Sequence, residues 1–359
     1  MPDTILSGLL VTTLSGLVMG TSPWPLKLMK QFQYEHFAFV SMLFALVVLP
    51  WGITLVFCPS PLAALSAVPV ALLLKANAFS LAWGIAQVLA LLCFVRIGVS
   101  LTYGILCAIG ACVGVLTPMV FKASGVFARA PDLGSRTGLT VLAGVAVMVC
   151  GLYLASLAGF GRDRALRAAQ PAGESAPGSL PRQGGFGLGL VMVVLAGVLS
   201  AGWGFAFAYS QEAIIGAMKS HGAADFPAGI AVWAVALCGA ALVNTLYPAY
   251  LLTRNKSWPV LAANPGEICL ALLYGLLFFI PSALLGKGML LLGALGASVG
   301  FGVVQGTLIL GGQALGFLSG EWRGVGGKPR AQIYLAIVVL LLSMGVFAFA
   351  NSFAAGPPK

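Results

Sequence analysis

The chain has 359 residues, of which 60% are hydrophobic and 8% charged, and a formal net charge of +10. So much apolar surface cannot be hidden inside one or two soluble domains, which excludes a water-soluble globular protein and puts the chain in a bilayer. The positive charge would point to nucleic acid in a soluble protein, but here Lys and Arg occupy the short gaps between apolar runs, so a membrane partner is expected and nucleic acid is not.

A span needs about 20 mostly apolar residues to cross roughly 30 Å of hydrocarbon. Apolar runs between polar or Pro-bearing gaps predict helices near 5–24, 36–57, 74–95, 99–121 and 137–159, then 186–210, 228–252, 267–286, 293–318 and 331–352. The first run, "ILSGLLVTTLSGLVMG", has no basic residues before it and no small-residue cleavage site after it, so it is expected to be retained as a span.

The segment 161–185, "GRDRALRAAQPAGESAPGSLPRQGG", combines charge with Pro, Gly and Ser and reads as a cytoplasmic linker. It divides the chain into a first five-helix repeat, 1–160, and a second, 186–359. Five is odd, so the second half enters the membrane from the opposite side, and the expected fold is an all-α integral membrane protein of ten helices in two inverted five-helix repeats. "TLSGLVMGTSPW" in span 1 and "VLSAGWGFAFAY" in span 6 share a small-residue rhythm in keeping with this.

Gaps after odd-numbered spans hold Lys27, Lys30, Arg96, Arg162, Arg164, Arg167, Arg182, Arg254, Lys256, Arg323, Lys328 and Arg330. The other side holds only Lys75, Lys122, Arg129, Arg136, Lys219, Lys287 and Lys359. The bias puts the linker in the cytoplasm and both termini outside.

Several motifs resolve to packing. The seven Cys lie within or beside apolar runs without any CxxC, as small apolar residues do. In span 9, Gly296/Gly300, Gly302/Gly306 and Gly312/Gly316 are spaced four apart, which lets helix backbones approach closely; the alternative for Gly311 and Gly312 is a hinge or a binding-site break. "GASVG" around Ser298 matches GxSxG only formally, since both histidines precede it and no strand and helix frame it. Two distant His without an acid cluster predict no metal site, and the absence of a GxxxxGK[ST] loop predicts no nucleotide site, so no cofactor is expected. With no polar gap longer than the 161–185 linker, there is no room for a catalytic or sensory domain, and an enzyme or sensor is the weaker alternative.

What remains is a sparse polar and aromatic set inside apolar helices. Span 3 carries Trp83 and Gln87, one turn apart on one face; span 6 carries Trp203, Tyr209, Gln211 and Glu212; span 7 carries Asn244 and Tyr247; span 9 carries Gln305 and Gln313. Polar side chains at membrane depth are costly, and they face a cavity or pair with other groups. Aromatic faces with amide donors and acceptors suit a sugar, which offers CH faces to stack and hydroxyls to bond. Trp83, Gln87, Trp203, Tyr209, Gln211, Asn244 and Gln305 are therefore the candidate substrate-binding residues. Glu212, an acid at an expected helix end, is the candidate for proton coupling; a solvated loop carboxylate is its ordinary alternative. Lys27, Lys30, Glu35 and His36, between spans 1 and 2, read most simply as residues snorkelling to headgroups.

In order, "SPWPLKLMK", "YEHF", "VVLPW", "AWGIAQ", "LTP" at 116–118, "SAGWGFAF" and "GFLSGEWRGVGGKP" make the chain resemble the L-rhamnose/proton symporter family of the drug/metabolite transporter superfamily. The resemblance runs over most of the chain. It implies ten helices in two inverted repeats, alternating access, and uptake of a deoxy sugar with a proton across the bacterial inner membrane. An exporter or a carrier of another small metabolite in the same superfamily is the alternative.

Overall fold

The computed structural model describes residues 2–97, 99–121, 130–168 and 185–354, which are helical apart from short connections. Helix α1 is Pro2–Thr21, followed by a 3-10 turn at Trp24–Lys27. The second span is α2 (Tyr34–Leu43), a π-helical turn (Phe44–Val48) and α3 (Leu49–Phe57). Pro50 has no N–H to return to the preceding turn. The backbone widens there, and the Leu49 N–H bonds instead to the Phe44 carbonyl five residues back.

A short helix α4 (Pro61–Ser66) precedes the long helices α5 (Val70–Ile97), α6 (Val99–Val120) and α7 (Arg136–Ala168). The second half holds α8 (Phe186–Ser200), α9 (Gly202–Ser220), α10 (Asp225–Ala236) and α11 (Cys238–Arg254). It continues with α12 (Trp258–Ala263), α13 (Pro265–Leu291), α14 (Phe301–Leu318) and α15 (Lys328–Ala354). Among the described residues, 9 helices are long and apolar enough to cross a membrane, and α10 with α11 passes the same test as one span bent by 54°. Leu and Val side chains stay exposed along α1, α8 and α15, as lipid-facing surfaces require.

Two boundaries differ from the sequence reading. Helix α7 runs on through Ala168, so the first residues of the expected linker are helical; 169–184 lie outside the described residues. Helix α9 does not stop at 210 but continues to Ser220. The reason is that Ser210, Ile214 and Met218 repeat every fourth position and are buried, so this polar-looking tail keeps an inward face that packs against α4 and α10. Gln211 and Glu212 are therefore in mid-helix.

Helix α1 lies against α13 and α14; α5 against α8, α9 and α11; α2 against α11 and α13; α6 against α7 and α8; and α15 against α7. Small residues carry the closest of these approaches. A Cβ at Gly20 would overlap the Leu308 carbonyl oxygen, and one at Gly311 the Leu17 carbonyl oxygen. Helix α14 runs unbroken through Gly311 and Gly312, so these glycines serve packing and not a hinge.

The break lies elsewhere, at Leu237. Backbone groups at a bend within the bilayer have no water to satisfy them. The Asn77 side chain on α5 supplies the partners: its Oδ1 accepts from the Gly239 N–H at 2.8 Å and its Nδ2 donates to the Val235 carbonyl at 3.1 Å. Ser80 Oγ, one turn along, accepts from the Ala240 N–H at 3.3 Å. Gly239 is required for this approach, because a Cβ there would run into the Asn77 carbonyl oxygen. Asn77→Ala strips partners from both sides of the bend, at a cost of about 1–3 kcal/mol per orphaned group. The thermal unfolding midpoint in detergent is expected to fall by several degrees, and an unchanged midpoint would show that the bend does not depend on Asn77.

Candidate functional site

Helix α5, fixed to α10 and α11 by Asn77, carries Trp83 inward at mid-length. Gly202 opens α9 and lets it approach, since a Cβ there would overlap the Phe79 carbonyl oxygen. The next residue, Trp203, consequently stacks on Trp83 with ring centroids 6.0 Å apart and planes 23° apart. Phe278 of α13 lies 5.9 Å from Trp83 and 6.5 Å from Trp203, so the three rings form a triangle. Trp233 of α10 lies 5.7 Å from Trp203, and Phe207 of α9 stacks on Trp233 at 4.6 Å. Phe301 of α14 closes the group edge-on to Trp203 at 6.5 Å.

The Nε1–H groups of Trp203 and Trp233 are buried without a hydrogen-bond partner among the described residues. A tryptophan chosen only for packing is placed where its N–H can reach an acceptor. Two open donors thus lie in one aromatic cluster.

Polar groups border this cluster on three sides. Asn244 of α11 is buried, stands against Gly84 next to Trp83, and donates to the Ala240 carbonyl at 3.0 Å. Gln305 of α14 is buried beside Gly110 of α6, against which Ser200, three residues before Trp203, also packs. Gln87 is half-buried one turn beyond Trp83. The structure thus brings together Trp83 and Trp203, with Asn244 against the neighbouring Gly84; Gln87 and Gln305 lie one turn along their helices from Trp83 and Phe301.

Three other sequence candidates do not join them. Tyr209 packs at 5.6 Å on Phe79, beside the cluster. Gln211 has a buried Oε1 without a hydrogen-bond partner. Glu212 is exposed; nine residues past Trp203, it is about half a turn off and roughly 14 Å along the helix axis. It lies on the opposite face of α9 from the aromatic cluster.

A group of tyrosines was not anticipated as a set. Tyr34 of α2 lies 6.3 Å from Tyr247 of α11, and Phe37 lies 6.1 Å from Tyr274 of α13. Tyr103 of α6 and Tyr34 are both within electrostatic reach of Tyr274. Four tyrosines from four helices are therefore neighbours near the ends of α2, α6, α11 and α13 at the membrane face where α7 ends, the linker face. They lie far apart along the chain, so only the packing relates them.

At the linker face, Lys27 pairs with Glu321, and Arg162 at the end of α7 donates to the second oxygen of Glu321 at 2.7 Å. The Arg162 guanidinium also lies 5.5 Å from the Trp322 ring centroid, a cation–π distance. Glu267, at the start of α13, accepts the backbone N–H groups of Lys30 at 2.8 Å, Gln31 at 2.9 Å and Phe32 at 2.6 Å. Glu35 accepts from Asn255 Nδ2 at 2.9 Å, and His36 reaches the Ser257 carbonyl at 3.3 Å. Glu35 and His36 are buried, which corrects the reading of them as snorkelling residues. Their adjacency in a chain with only nine acids and two histidines was the available signal.

A family model described as L-rhamnose-proton symport protein (RhaT) matches residues 1–352. Similar curated proteins include the L-rhamnose-proton symporter of Pectobacterium atrosepticum, 25% identical over 332 residues, covering 90% of this chain and 91% of that one. Those of Cronobacter sakazakii and Klebsiella pneumoniae subsp. pneumoniae are 24% and 25% identical over 330 residues, with the same 90% and 91% coverage.

Burial alone would raise the Glu321 carboxyl, but the Lys27 hydrogen bond and the charges of Arg162 and Lys27 outweigh it and hold it below its ordinary value of 4.5. A depressed carboxylate contributes stability above its unfolded value and loses it as pH falls through the folded one. Thermal midpoints are therefore expected to drop as pH falls below about 4.5. Glu321→Gln should lower the neutral-pH midpoint and flatten that acid limb; an unchanged acid limb would contradict the assignment.

Proposed function

The chain belongs to the L-rhamnose-proton symport protein family, and from that membership we propose that it takes up L-rhamnose or a related deoxy sugar together with a proton, by alternating access, across the bacterial inner membrane. Membership in a symport family makes it a transporter and not an enzyme. The observation that carries the substrate reading is the Trp83–Trp203 stack, built where α5 of the first half meets α9 of the second, beside a broken span. Discontinuous helices near the midplane at the junction of two halves are a recurring setting for transported ligands.

The chemistry matches a deoxy sugar in three respects. Once the Trp83–Trp203 contact parts, the two indoles offer aromatic surface to the apolar C–H face of a pyranose ring, and Phe278 and Phe301 provide apolar surface for a methyl substituent. Gln87, Asn244 and Gln305 offer amide donors and acceptors to hydroxyls, and the open Trp203 N–H offers another donor. Tyr34, Tyr103, Tyr247 and Tyr274 add phenol hydroxyls near the linker face.

The packing pattern supports two inverted repeats. Exchanging each span with the one five later turns the contact of α1 with α14 into that of α8 with α6. The same exchange turns α1 with α13 into α8 with α5, and α5 with α11 into α13 with α2. Such halves can rock about a midplane site, opening it to each side in turn. With the excess of basic residues on the linker face, that face is cytoplasmic and the termini are periplasmic.

Purified protein in proteoliposomes is expected to accumulate L-rhamnose when the outside is acidified and to lose that accumulation with a protonophore. At 100 times its dissociation constant the sugar should also stabilise the protein by about 2.7 kcal/mol. Trp203→Ala should reduce uptake at least about tenfold through loss of a buried aromatic platform. Absence of both flux and stabilisation with L-rhamnose and other deoxy sugars would refute the substrate class.

A further inference from the structure

His36, near the start of α2, is 2% exposed and stacked against Phe32 at 5.4 Å. Its Nδ1 lies 3.1 Å from the Gln33 backbone nitrogen. A backbone N–H can only donate, so Nδ1 holds a lone pair, and the neutral ring carries its proton on Nε2, directed at the Ser257 carbonyl. An added proton has one place to go, Nδ1, where it would meet the Gln33 N–H head-on.

Charged and titratable groups stand around the ring. Glu35 is the next residue, and Glu267 of α13 lies within electrostatic reach of the ring. Tyr34 stands on the same helix, facing Tyr247. The basic residues of the adjoining chain, Lys30, Arg254 and Lys256, are exposed. Protonation at Nδ1 thus loses the hydrogen bond that shapes the turn into α2.

That turn is also the segment by which the first half is tied to α11 and α13, through the Glu267 contacts to residues 30–32 and the Glu35–Asn255 bond. We propose that His36 is the binding site of the coupled proton, and that its protonation at Nδ1 breaks the Gln33 N–H bond and so opens the turn into α2 at the linker face. The proton comes from water and returns to it, so no other reactant is needed. The coupling role rests on the transport reading above; the protonation switch does not.

The chain has only two histidines, and the fold gives their neutral rings opposite tautomers. His221 is exposed, with Nδ1 2.9 Å from the Ala217 carbonyl, so its neutral proton belongs on Nδ1. In ¹⁵N-histidine NMR of the whole protein, His36 is expected in the Nε2–H form at pH 8 and as the imidazolium by pH 5. Over the same range, hydrogen-exchange protection of the 30–33 amides, corrected for intrinsic pH dependence, should fall about tenfold. A His36 that stays neutral at pH 5, or titrates without loss of protection there, overturns the switch.

His36→Asn offers Oδ1 to the Gln33 N–H and cannot take the proton. In proteoliposomes it should retain L-rhamnose counterflow within about threefold while losing pH-driven accumulation about tenfold. Full pH-driven accumulation by this variant, or its loss in Glu212→Gln but not in His36→Asn, overturns the coupling role. If the wild type carries no sugar, the transport reading fails, and the NMR titration still decides the switch.

Discussion

A helix that bends inside a bilayer leaves amides and carbonyls that lipid cannot satisfy, and in this protein Asn77 meets that demand at Leu237. The rest of the central architecture depends on this clamp. Asn77 and Ser80 set the height and rotation of α5 against α10 and α11, and two turns later along the same helix Trp83 enters the space between the halves. Gly239 makes the approach possible, as Gly202 does for α9 on the other side of α5. The Trp83–Trp203 stack is thus a consequence of backbone accounting as much as of aromatic attraction.

The aromatic cluster and the linker face are different kinds of structure. Around Trp83 and Trp203 the core is aromatic and dry, with open indole N–H donors that are costly to leave buried unless something intermittently pairs with them. At the linker face the contacts are ionic or charge-assisted, joining Lys27, Arg162, Glu321, Glu267 and Glu35 with backbone groups and Asn255. Bonds of this kind are directional and sensitive to protonation, whereas apolar packing is neither. A face held in this way answers to pH where the core does not.

Much of the fold was legible in the sequence. The ten spans could be placed because apolar runs of the required length are separated by gaps rich in Lys, Arg, Pro and Gly. Trp83 and Gln87 could be paired because they are one turn apart. The end of α9 was misjudged because "SQEA" carries two polar residues on its outer face, and only the neighbouring α4 and α10 reveal that Ser210, Ile214 and Met218 continue an inward stripe. Glu212, read as an acid at a helix end, is an acid on an outer helix face for the same reason.

By itself the sequence determined the class of molecule, because hydrocarbon thickness and the cost of burying charge act on composition and length before any contact forms. It also singled out Trp83 and Trp203, which the fold stacks together, as rare aromatic side chains in apolar helices. Only the tertiary structure decided that Asn77 is a clamp, that tyrosines of four helices are neighbours, and that Glu35 and His36 are buried bonding groups and not headgroup anchors. Those roles arise between residues far apart along the chain. No local pattern encodes which faces of α2, α5, α11 and α13 will meet, because in lipid that choice is made by close packing and backbone satisfaction across helices, not by the apolar character they all share.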